Sequence, residues 1–383
     1  MKNIYKSPLN IYVAWHPKFT QGKDYANEIY SIFCRDSKKP LSRGIGIPVF
    51  FRSKHDPTTN LPIEIDFKEA DRNAIILLLD DEMFNDENWC NYIDYILKNI
   101  SANTRVFPVE LGKYARYQNE GSELSQTQFV KLNQNDSFDE KVRVIRNTLL
   151  HDFCRLMMNL DTTPNLEIPP PIKLFLSHAK LDGEIIAKEF RSHIENNLKL
   201  NTFFDANDIA DGYDFETQIK ANLKTSAVIV FHSDEYSNRE WCRIEVIVAK
   251  RNKSPLVVVH NIEKGENRSF PYLGNVPTIR WNNNFNDVID LALIQVLNNR
   301  YSTEKIEKEI KLYRVDKKYD WELISSPPEL FNFIDLGKTK TKSKKKRIVV
   351  YPDPPLGTEE LNVLSELDSK TKFITPITFS EIV

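Results

Sequence analysis

Four cysteines in 383 residues are too few for a disulfide framework. Cys34, Cys90, Cys154 and Cys242 are scattered, none forms a C-x-x-C pair, and no cluster of cysteine and histidine has zinc-finger spacing. Thiols placed in this way fit buried side chains in a reducing compartment. The chain also lacks an apolar run long enough to span a membrane. Its opening, MKNIYKSPLNIYVAWHPKF, has no apolar stretch followed by a small-residue cleavage site, so no signal peptide is expected. A cytoplasmic protein without membrane contact follows from these absences.

An excess of one charge is missing too. Net charge is -2, which gives no general attraction to nucleic acid or anionic lipid. The local exception, Lys338 to Arg347, reads as a solvated linker before it reads as a nucleic-acid site. No G-x-G-x-x-G follows the first strand, and there is no G-x-x-x-x-G-K-[ST]. Neither G-x-S-x-G nor H-E-x-x-H occurs. Hydride transfer, P-loop nucleotide hydrolysis, serine hydrolysis and zinc proteolysis all lose ground.

What is present is an alternation of short apolar runs with helical stretches, the pattern of parallel sheets with crossover helices. Strands are expected at Ile11–Ala14, Ile47–Phe51, Ala74–Leu79 and Val106–Val109. Helices are expected over Lys23–Cys34, Asn88–Asn99 and Lys141–Met158. TTPNLEIPPP, Thr162 to Pro171, reads as a linker, because three successive prolines cannot continue a helix. Further strands are expected at Lys173–Leu176, Thr202–Phe204, Ala227–Phe231 and Leu256–Val259. Helices should fill Gly183–Leu198, Phe215–Leu223, Asn238–Lys250 and Phe285–Leu297. A separate charged helix, Thr303–Tyr313, is followed by an irregular stretch with Pro327-Pro328. RIVVYPDPPLG, TEELNVLSELD and KFITPI then resemble the opening of another α/β unit, too short to hold its own core.

The two halves look like diverged copies. IYVAWH and LFLSH are strands running into a histidine. LLLDDEMFNDENWCNYID and VIVFHSDEYSNREWCRIE are strands running into a Trp-Cys helix. In the second, Glu245 lies four residues after Trp241, and the matching residue of the first is Ile93. Asp94 is one position further on, which turns a helical side chain by about 100°.

Ligands of open parallel sheets bind beyond the carboxyl ends of the strands. The second half places Ser177 and His178, then Phe204 and Asp205, then His232, Ser233 and Asp234 at such ends. Ser237 and Glu240 fit the S-x-x-E capping box, with Trp241 and Glu245 on one face of the helix that follows. Ile244, Ile247 and Val248 would then face the core. Trp241 and Phe204 are either ring-stacking or core residues, with core favoured for Trp241. His178 is either a ligand contact or a satisfied strand-end histidine, and Asp205 either a ligand contact or a turn cap. These residues define a crevice with a carboxylate, but no substrate.

Residues Lys173 to Trp281 resemble a TIR domain. The segments that carry the resemblance are KLFLSHAKLD, FFDANDIADGYDF, IKANLKTSAVIVFHSDEYSNREWCRIE, SPLVVV and NVPTIRW. Ile11 to Leu111 looks like a second, degenerate unit. The arrangement is similar to that of bacterial tandem TIR proteins of anti-phage immunity.

The resemblance implies an α/β chain. Two flavodoxin-like parallel-sheet TIR units would stand in tandem before a small C-terminal α/β segment. The implied divisions are a degenerate unit at 1–160, a linker at 161–171, a TIR domain at 172–300 and an extension at 301–383. It further implies NAD+ glycohydrolase activity with Glu245 as the catalytic residue. Ser177, His178, Phe204, Asp205, Ser233 and Trp241 would contact substrate. Asp208, Ile209 and Gly212 would lie in a loop of self-association and gating. NAD would be a substrate, with no cofactor and no metal implied. The partners would be further copies of the chain or an activating protein. The alternative is a non-enzymatic signalling scaffold.

Overall fold

The computed structural model describes residues 5–39, 44–59, 61–101, 103–113, 123–158, 171–197, 201–203, 223, 226–333 and 345–382. They divide into two compact units, residues 2–169 and 170–383, split within the proline-rich stretch.

The first unit is built on β1 (Asn10–Trp15), α1 (Gly22–Phe33), β2 (Val49–Arg52), β3 (Asn73–Leu79), α2 (Glu87–Lys98), β4 (Thr104–Glu110) and α3 (Phe138–Met158). Its four strands are all parallel, in the order β2-β1-β3-β4. β1 and β3 are buried along their whole length, as central strands covered on both faces must be. Asp86 caps α2 by accepting from the Asn88 N–H, and Trp89, Tyr92, Ile93, Ile96 and Leu97 form its buried stripe.

The second unit repeats the plan. β5 (Lys173–His178), α4 (Glu184–Asn197), β6 (Asn201–Phe203), β7 (Ser226–His232), α5 (Glu240–Arg251), β8 (Leu256–His260), β9 (Thr278–Arg280) and α6 (Phe285–Leu312) follow one another. The strand order is β6-β5-β7-β8-β9, again all parallel. When the two Trp-Cys helices are aligned, Val230 matches Leu78, and their partners on the neighbouring strand are Ser177 and Trp15. The two sheets thus share order and register. The expected helix over Phe215–Leu223 lies outside the described residues except for Leu223, which is buried in the core.

Three expectations need correction. The helix from Phe285 does not stop at Leu297 before a second one at Thr303. It is one continuous helix to Leu312, because Tyr301, Ile306 and Ile310 extend its buried stripe. The stretch before the lysine-rich run is not wholly irregular. Asp320–Leu323 is a strand, β10, which pairs in parallel with β11 (Arg347–Val350). With α7 (Thr358–Leu367) and β12 (Thr371–Ile374), it gives a small sheet ordered β10-β11-β12. Ile306 and Ile310 of α6 enter the core of that sheet beside Ile348, Val350 and Ile374. The third correction concerns α5, below. Among the described residues no helix is long and apolar enough to cross a membrane.

Candidate functional site

α5 begins later than its sequence suggests. Ser237 belongs to a short 3-10 turn, Tyr236–Asn238, and Arg239 stands at the N-cap without a side-chain cap bond. The Ser237 hydroxyl is used elsewhere: it donates to Glu266 Oε2 at 2.7 Å and accepts from the Phe270 N–H at 3.3 Å. The expected capping box is therefore not formed. A long-range carboxylate has taken the hydroxyl a local cap would need.

The face of α5 differs as well. Its buried residues are Cys242, Glu245, Val246 and Ala249, not Ile244, Ile247 and Val248, which are only partly buried. Trp241 is 46% exposed, whereas the matching Trp89 of the first unit is fully buried. The core position favoured for Trp241 is thus overturned. Relative to α2, α5 is rolled about its axis, and the positions buried in both helices are Glu245 with Ile93 and Ala249 with Leu97.

At a position buried in both helices, α5 carries a carboxylate where α2 carries the apolar Ile93. Glu245 is only 5% exposed. Burying an unpaired carboxylate costs several kcal/mol, so it must find donors. Ser177 Oγ, at the end of β5, donates to Glu245 Oε2 at 2.5 Å. Ser177 Oγ also lies 2.5 Å from the Tyr236 hydroxyl. A serine hydroxyl has one hydrogen, and Ser177 gives it to Glu245. With that hydrogen committed, the Tyr236 hydroxyl is the donor toward Ser177, and it also donates to the Cys242 carbonyl oxygen at 3.3 Å.

Burial, together with Cys242 and Glu245, pushes the Tyr236 phenol well above the usual tyrosine range. It keeps its proton and remains the donor. The chain runs Tyr236 to Ser177 to Glu245, at the carboxyl edge of the sheet. Cys242 Sγ, on the same helix, lies 3.3 Å from the His178 carbonyl oxygen and ties α5 to β5.

In the first unit the register positions of Ser177, Tyr236 and Glu245 hold Trp15, Phe84 and Ile93. The same sheet therefore folds with apolar groups at all three positions.

The remaining predicted residues spread out. His178 is buried, with Nδ1 3.4 Å from the Leu176 carbonyl oxygen. Ser233 is buried and donates to Asp182 Oδ1 at 2.6 Å. Phe204, Asp205, Asp208, Ile209 and Gly212 lie outside the described residues. Of the predicted set, Ser177 and Glu245 are brought into contact.

Sequence reasoning missed Tyr236 and Glu266, the centre of a second polar cluster. Glu266 accepts from Ser237, from His232 Nε2 at 3.0 Å and from Ser269. Asp234 accepts the backbone N–H groups of Glu263, Lys264 and Gly265. Together they fasten the loop after β8 to the entry of α5. The available signal was the run of polar residues following the apolar strand Ser226–Phe231. Among the described residues no group of three or more His, Cys, Asp or Glu side chains is placed to hold a metal.

Residues 174–293 match the family model described as TIR domain. No curated protein matches the sequence. Among solved structures, the chain is similar to the TIR domains in a structure of the activated Roq1 resistosome directly recognizing the pathogen effector XopQ. That likeness has 15% identity, covers 38% of this chain and 98% of that one, and has a TM-score of 0.22. A second likeness is to tagatose-6-phosphate ketose/aldose isomerase from Escherichia coli, with 11% identity, coverage of 77% and 83%, and a TM-score of 0.23. The fold rests on strand order and register, not on these likenesses. On the family match, residues 174–293 carry a TIR domain.

Proposed function

We propose that this TIR domain is an NAD+ glycohydrolase in which Glu245 is the catalytic carboxylate. The supporting observation is the buried Tyr236–Ser177–Glu245 chain, at positions where the sibling sheet holds Trp15, Phe84 and Ile93. A fold that tolerates apolar residues there has no structural need for an acid.

The reaction breaks the bond between ribose C1 and the nicotinamide nitrogen. The bonding electron pair leaves with nicotinamide, which becomes neutral, and positive charge grows on the ribose. A fixed carboxylate opposes that charge, a contribution worth roughly 3 kcal/mol or more per preorganised group. Ser177 holds Glu245 so that little reorganisation is needed when the charge develops. Water then adds to the ribose and loses a proton, giving ADP-ribose. Attack by a group of the same molecule would give a cyclised product instead.

In this reading the first unit is a degenerate TIR copy in tandem with the enzymatic one. The whole is a cytoplasmic, anti-phage type effector, switched on by self-association or an activating protein. Incubating the full chain with NAD and following free nicotinamide tests the reading. Assembly without NAD consumption would favour a signalling scaffold, the role that exposed Trp241 also fits.

A further inference from the structure

The helix that carries Glu245 is gripped at its far end by the C-terminal segment. Lys250, in the last turn of α5, has a side chain only 9% exposed. Its ammonium donates to both carboxylate oxygens of Glu329, at 2.8 and 2.9 Å, and to the Gly274 carbonyl oxygen at 2.9 Å. Just beyond the helix, Lys253 Nζ donates to the Leu323 carbonyl oxygen at 2.9 Å and lies 3.6 Å from Glu322 of β10. The rings of Tyr272 and Phe331 meet 4.7 Å apart beside them. All three contacts join the TIR domain to the strand β10 and the residues that follow it.

The seam is largely polar. Its ion pair borders a cleft of about 100 Å³ lined mainly by polar side chains, among them Gln295, Asn298, Asn275 and Ser325. A polar junction separates more readily than an apolar core. α6 crosses from one sheet to the other, packing on β7 and β8 and then supplying Ile306 and Ile310 to the C-terminal core. A shift of the small sheet about α6 must move Glu329 relative to Lys250. Lys250 cannot stay behind at no cost, because a largely buried ammonium that loses its carboxylate is strongly destabilised. The force is applied to α5, and Glu245 sits on that helix five residues away, about 7.5 Å along the axis. The loop that Lys250 holds at Gly274 also reaches the start of α5, where the Phe270 N–H donates to Ser237. Both ends of α5 are therefore fixed through one loop and one ion pair.

We propose that the C-terminal segment is a built-in regulatory partner of the TIR domain. The Lys250–Glu329 pair is the latch that positions α5 and, through it, Glu245. Lys250 and Glu329 are positioning residues, and the kinetic part of this claim rests on the reaction proposed above.

The test compares full-chain wild type with Glu329→Gln, Lys250→Met and the reversed pair Lys250→Glu/Glu329→Lys. Two quantities are read: hydrogen exchange of α5 amides, and nicotinamide release at varied NAD. In Glu329→Gln the α5 amides should exchange about tenfold faster while β7 and β8 stay protected. kcat should fall about tenfold with KM within about twofold. The reversed pair should recover most of both changes. If Lys250→Met fails to fold, the isosteric Glu329→Gln still decides. Unchanged exchange in α5 overturns the latch, and so does wild-type kcat despite faster exchange. If wild type itself releases no nicotinamide, faster α5 exchange upholds the latch and places the failure with the proposed reaction. Unchanged exchange in that case overturns the latch as well.

Discussion

Ser177 donates its hydroxyl hydrogen to Glu245 over 2.5 Å, linking the carboxyl end of strand β5 to the middle of helix α5. The bond holds a buried carboxylate at the edge of the sheet where ligands of parallel α/β folds collect. Removing the donor takes a hydrogen bond away from a buried acid. Ser177→Ala is expected to lower unfolding stability by about 1–3 kcal/mol, read by urea denaturation. Nicotinamide release should fall chiefly in kcat. A stable variant with wild-type kcat would contradict the role given to this hydroxyl.

Two residues near the start of α5 should separate a local cap from a long-range clamp. Ser237 is tied to Glu266 and Phe270, whereas the Ser237–Glu240 capping box is absent. Ser237→Ala should cost about 1 kcal/mol, and Glu240→Ala less than about 0.5 kcal/mol, as for a surface position. Equal losses in denaturant titrations would restore the capping box.

Legibility in the sequence followed the range of the forces involved. β1, β3, β5 and β7 announce themselves because each is buried on both faces and so reads as an unbroken apolar run. The likeness of the two halves was also readable, since the strands running into a histidine and the Trp-Cys helices are local in sequence. The start of α5 was not, because the competitor for Ser237 is 29 residues away at Glu266. Trp241 misled for a related reason: matching letters do not fix the roll of a helix, which is set by what packs on its other positions. β10 escaped notice because DWEL lacks the apolar signature, and its pairing partner begins only at Arg347. For Glu245 the resemblance to TIR domains singled out the residue, but its burial and its serine donor required the fold.

Acid should loosen the loop after β8. Burial opposes ionisation of Glu266, but hydrogen bonds from Ser269, Ser237 and His232 outweigh it and hold the carboxyl below its usual range. A group depressed in the folded state stabilises fully above its unfolded value, here near 4.5. That contribution disappears as pH falls through the lower folded value. The stability gap between wild type and Glu266→Gln should therefore be largest near neutrality and shrink below about pH 4.5. Urea titrations across that range check the sign, and a gap that widened in acid would reverse the assignment.

The central claim concerns one carboxylate, and Glu245→Gln probes it with the least disturbance of shape. Assembled wild type, Glu245→Gln and the surface control Glu240→Gln would be incubated with NAD and free nicotinamide followed. The expected result is release by wild type and control, with a loss of about a hundredfold or more in Glu245→Gln. Equal release by wild type and Glu245→Gln would contradict the account.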